Sequence, residues 1–112
     1  MTYKIKMLII ILISNYTVSC SKYSPNEQKL KNMENMVGID NFRNPDLYDR
    51  YYSVENGVAT GIYIRSDRKN GTLRIVKKND LPVVMDGGCS VINVEFELKS
   101  ERVLSAFCNG DG

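Results

Sequence analysis

The sequence predicts an α+β fold: an N-terminal amphipathic helix packed on a four- to five-stranded antiparallel meander, with one disulfide. Three observations lead there. A capped helical pattern occupies residues 24–38, the apolar period changes to two after residue 50, and turn-forming clusters then recur about every ten residues. A length of 112 residues allows one small domain, and 43% hydrophobic residues are enough to give it a core.

The helix start is written in Ser24-Pro25-Asn26-Glu27. Ser24 can cap, Pro25 suits the first helical position, and Glu27 completes an S-x-x-E capping box. Leu30, Met33 and Val37 follow at three- and four-residue steps, with Lys29, Lys31, Asn32 and Glu34 between them. Gly38 supplies the stop. The apolar stripe is narrow, so this helix must pack on a partner surface. Residues 39–50 read as irregular, with a single helical turn starting at Asn44-Pro45-Asp46.

Alternation begins at Tyr51 and runs to Glu55, where Asn56-Gly57 signals a two-residue hairpin into Val58–Arg65. Ser66–Gly71 is a polar turn, and Thr72–Lys78 a third strand with Leu73, Ile75 or Val76 inward. A loop from Asn79 to Gly88 precedes Ser90–Leu98, where Ile92, Val94, Phe96 and Leu98 alternate with Asn93, Glu95 and Glu97. Lys99–Arg102 turns, and Val103–Cys108 forms the last strand.

The first nineteen residues describe an address. Lys4 and Lys6 precede the apolar run Met7–Ile13, and Ser14-Asn15-Tyr16-Thr17 ends it. That run is far short of the about 20 residues a membrane-spanning helix needs and has the form of a secretory signal. Thr17-Val18-Ser19-Cys20 resembles the lipobox of bacterial lipoproteins, with Thr17 where Leu is usual. The resemblance implies removal of residues 1–19, an acyl chain on Cys20, and a short tether over residues 20–23 before a domain at 24–112. With Ser21 after the cysteine, it implies the outer membrane facing the periplasm, in a host that has one. Without Lys4 and Lys6 the fifteen cations fall level with the thirteen carboxylates, so no bulk attraction to nucleic acid is expected. The tether is only Ser21-Lys22-Tyr23, on the order of 12 Å when extended, which keeps the domain against the bilayer.

There are three cysteines. Lipidation of Cys20 leaves Cys89 and Cys108 as a pair in a compartment where disulfides persist. A strict hairpin with Leu98 opposite Val103 would set Cys108 against Asn93, out of reach of Cys89. The bond therefore needs a bulge in that hairpin, or a fold-back of Asp86-Gly87-Gly88.

The chain has no histidine, which excludes Ser-His-Asp and Cys-His catalysis and imidazole metal sites. No cofactor and no metal are expected. Arg65, Arg68, Lys69, Arg74, Lys77 and Lys78, opposed by Asp67, are candidates for contact with an acidic partner or a phosphate of the envelope. Their ordinary role would be a solvated hairpin tip and a guarded strand edge. Tyr48, Tyr51 and Tyr52, beside Phe42, Arg43 and Arg50, are either interface anchors or core. Asp80 and Asp86 lack calcium-loop spacing and read as turn residues. Glu95 and Glu97 share a strand face about 7 Å apart, a separation at which a glycosidase pair is conceivable, but nothing nearby would raise one pKa. The expectation is a non-enzymatic envelope lipoprotein that binds an envelope or secreted protein, as an inhibitor, immunity protein or accessory subunit. The alternative is a structural component contacting anionic lipid.

Overall fold

A computed structural model describes residues 24–39, 42, 44–68 and 70–110. The signal segment 1–19, Cys20, the tether, Arg43 and Lys69 lie outside the described residues. The elements are α1 (Pro25–Glu34), β1 (Tyr48–Glu55), β2 (Val58–Arg65), β3 (Leu73–Ile75), β4 (Val91–Glu97) and β5 (Arg102–Cys108). The fold is α+β, with one α-helix among the described residues and a five-stranded sheet in the order β3-β1-β2-β4-β5.

Ser24 Oγ accepts the Glu27 N–H at 3.3 Å and its hydroxyl donates to the Glu27 carboxylate, so this helix start is local chemistry. α1 ends at Glu34, a turn earlier than Gly38 suggests. The Met36 N–H turns back to the Met33 carbonyl, tightening the last turn, while Val37 remains buried beyond it. Leu30 and Met33 are fully buried against the sheet.

β1 and β2 form the expected hairpin, Glu55 opposite Val58, with Asn56 and Gly57 at φ 51° and 78°. Positive φ at both positions matches the twist of the flanking strands. β1 starts at Tyr48 rather than Tyr51. Arg50 hid the first residues, because a cation at an inward position breaks the apolar alternation, yet here it is 1% exposed.

The sheet is mixed, which corrects the purely antiparallel meander. β3 is three residues long and runs parallel to β1 on its outer edge. After β2 the chain crosses the start of β1: Ser66 N–H bonds to Leu47 O, Gly71 N–H to Asp46 O, and Thr72 O accepts the Arg50 N–H. Gly71 passes so close that a Cβ there would lie 2.0 Å from the Tyr48 carbonyl oxygen. The crossing thus needs a glycine. Of the residues assigned inward, Leu73 and Val76 are half-buried and Ile75 is exposed.

One face of the sheet carries Tyr48, Arg50, Tyr52, Ala59, Tyr63, Ile92, Val94 and Phe96, and meets Leu30, Met33, Val37 and Phe42 in a single core. The connection 76–90 returns along the opposite face. Lys78 reaches Glu55, and Asn109 Nδ2 donates to the carbonyls of Val84 and Asp86.

Cys89 and Cys108 are bonded. Of the two expected routes, the fold-back at Gly87-Gly88 is the one that joins them. The hairpin closes with Glu97 opposite Arg102, two positions tighter than a Leu98–Val103 pairing. The bulge between Glu95 and Phe96 gives one position back and leaves Cys108 opposite Ile92, and Gly87 at φ 106° opens the turn at Gly88–Ser90 that brings Cys89 alongside.

Candidate partner-binding surface

A buried polar cluster fixes α1 on the sheet. Glu34, 2% exposed, accepts from Arg50 Nε at 2.9 Å and from the Tyr52 hydroxyl at 2.7 Å, while Tyr52 and Tyr63 share a hydrogen bond. Arg50 also donates to the carbonyls of Pro45 and Tyr48. Burial pushes the Glu34 carboxyl above its ordinary range, against the pull of Arg50. Burial, the neighbouring hydroxyl and the Glu34 carboxylate hold the Tyr52 phenol far above 10, and burial does the same to Tyr63. A folded-state pKa raised above the unfolded value favours the protonated form, so this contribution is complete below about pH 10 and is lost above it. In an alkaline titration followed by phenolate absorbance, Tyr52 and Tyr63 are expected to ionise only as the circular dichroism of the fold collapses. Smooth ionisation of every tyrosine with the fold intact would contradict the cluster.

The basic candidates do not converge. Arg65 lies on the face that carries α1, its guanidinium 5.7 Å from the Tyr48 ring. Arg74 lies on the opposite face, 6.0 Å from the Tyr51 ring. Arg68 is paired at 3.1 Å with Asp49, whose carboxyl is held below its usual value chiefly by the Thr72 N–H and then by Arg68. Lys77 and Lys78 border an open groove that also holds Glu55 and Asp80, a mixed site rather than a phosphate cradle. Tyr48 and Tyr52 are 2% and 0% exposed and belong to the core, so partner contact by these two is corrected; Tyr51 keeps partial exposure. Among the described residues no group of three or more His, Cys, Asp or Glu could hold a metal ion, and no helix is long and apolar enough to cross a membrane.

The surface that stands out was not singled out in the sequence. Val83 and Met85 are each 85% exposed and Phe107 57%. One asparagine ties together the two segments that carry them. Phe107 and Asn109 have the same parity at the end of β5, and the Asn109 amide holds the Val84 and Asp86 carbonyls while its oxygen accepts from Asn93 Nδ2 at 2.6 Å. These three hydrogen bonds and the adjacent disulfide thus present three apolar side chains from a tied-down loop and strand end.

Comparison with protein-family models, curated proteins and solved structures returned no match.

Beside Phe107 lies a shallow pocket of about 150 Å³, bounded by Thr60, Ile62, Asn93, Glu95 and Ser105. Glu95 accepts from the Ser105 hydroxyl at 3.3 Å; Glu97 instead pairs with Arg102 at 3.5 Å and accepts from Ser100. The two carboxylates therefore face different partners. A signal for this surface did exist: Phe107 alternates out of phase with the inward Ala106 and Cys108, and Leu81-Pro82-Val83-Val84-Met85 is an apolar run in a loop.

Proposed function

We propose that the chain is an envelope lipoprotein, anchored by acylation of Cys20, whose single domain acts without catalysis as a protein-binding module. An inhibitor, an immunity protein or an accessory subunit of an envelope assembly would all use such a module. One observation carries this reading: Val83, Met85 and Phe107 are exposed together on a segment ordered by Asn109 and the Cys89–Cys108 bond. Exposed apolar groups on a rigid support are the usual core of a recognition surface. Anionic-lipid contact draws less support, because Arg65 and Arg74 lie on opposite faces and the lysines share their groove with carboxylates.

The test is affinity capture from detergent-solubilised envelopes, using the wild-type chain and a Val83→Ser/Met85→Ser/Phe107→Ser variant. A protein recovered by the first and lost with the second is expected. An identical set from both would remove this surface from the reading, and salt-sensitive flotation of the unlipidated domain on anionic vesicles with no protein recovered would overturn the proposal in favour of lipid contact.

A further inference from the structure

The two edges of this sheet are built differently. β3 is short, carries Arg74 and is followed by Lys77 and Lys78, cations that deter another strand from pairing. β5 is seven residues long, and from Val103 to Cys108 it carries neither a charge nor a proline. The Asn109 N–H donates to Val91 O, which fixes the odd-numbered residues as those bonded to β4. By alternation the N–H and C=O groups of Ala106 and Cys108 point to the free edge.

The pocket beside this edge supplies a second element. On the face away from α1, Glu95 makes no ion pair among the described residues, and only the small Ser105 stands between it and the edge. A strand added to β5 would run about 4.8 Å beyond it. A side chain opposite Ser105 could then lie across the serine and bring a cation to the Glu95 carboxylate. Its methylene stem would rest beside Phe107, as long cationic side chains do on apolar surface.

Resting on the protein-binding reading above, we infer that β5 accepts, by strand addition, an extended segment of a partner protein with a Lys or Arg two residues from an apolar side chain. Main-chain hydrogen bonds to the Ala106 edge give affinity, and the cation in the Glu95 pocket sets register and specificity. A second copy of this chain does not meet the requirement. The cation of its own β5, Arg102, is already paired with Glu97 at 3.5 Å, so self-pairing would leave Glu95 unmatched.

The probes are the peptide Thr-Val-Thr-Lys-Thr-Val-Thr and the same peptide with Glu for Lys, titrated into the full chain in detergent. The Lys peptide is expected to shift the Ala106 and Cys108 amide resonances and to bind at least about tenfold tighter, the 1.4 kcal/mol of one charge-assisted contact. Glu95→Lys should invert the preference, and Ser105→Lys, which fills the pocket from within, should abolish it with an unchanged melting temperature. Equal binding of the two peptides, no shift at β5, or a concentration-dependent dimer pairing β5 with β5 would overturn the inference. A protein captured equally by wild type and Ser105→Lys but lost with the Val83/Met85/Phe107 variant would leave the protein-binding reading standing and remove this one.

Discussion

Arg50→Met is expected to lower the free energy of unfolding by about 3–5 kcal/mol, the range for breaking one side of a buried ion pair. The guanidinium is 1% exposed and serves Glu34 and the carbonyls of Pro45 and Tyr48. Its loss leaves the Glu34 carboxylate buried with the Tyr52 hydroxyl and the charge of Lys31 but without its guanidinium. That carboxyl, already raised by burial, would be pushed further toward its protonated form, and α1 would loosen from the sheet. Urea unfolding of Arg50→Met and of Glu34→Leu/Arg50→Met separates pair from packing. The double variant should recover most of the loss, because two apolar side chains avoid the desolvation cost that the ions bear. A single-variant loss under about 1 kcal/mol would show that the pair does not hold the helix in place.

Serine at both Cys89 and Cys108 is expected to cost about 3 kcal/mol by the loop-closure relation, for a sequence separation of 19. In a domain of this size that is a large share of a total of about 5–15 kcal/mol. The effect should also be local. The bond ties the Gly88–Ser90 turn to the end of β5, next to the Asn109 hydrogen bonds that support Val83 and Met85. Hydrogen exchange in residues 81–90 should accelerate more than in the β1–β2 hairpin. A uniform change, or a midpoint in urea indistinguishable from wild type, would contradict that placement.

Much of the fold was legible wherever its cause is local. The Ser24 cap, the Asn56-Gly57 turn and the alternation of β4 each depend on residues within a few positions of one another, and all three stand as read. The elements that were misread have non-local causes. Glu34 looked like a solvated helix residue and Arg50 like an exposed cation, because their partner is sixteen positions away in the chain. β3 was placed in a meander because alternation gives the face of a side chain but says nothing about which edge a strand will join. The basic residues looked like one patch because they are close in sequence, yet Arg65 and Arg74 sit on strands whose register turns them to opposite faces.

By itself the sequence determined the α+β class, the helix start, the β1–β2 hairpin and the two cysteines that needed a bulge or a fold-back to meet. Each follows from backbone preference or from counting along the chain. Only the tertiary structure decided that β3 joins β1 in parallel, that Glu34 and Arg50 are buried together, and that Asn109 ties the exposed Val83–Met85 loop to the end of the strand that carries Phe107. Those outcomes depend on which distant segments compete for the same surface, and packing settles that competition where local propensity is silent.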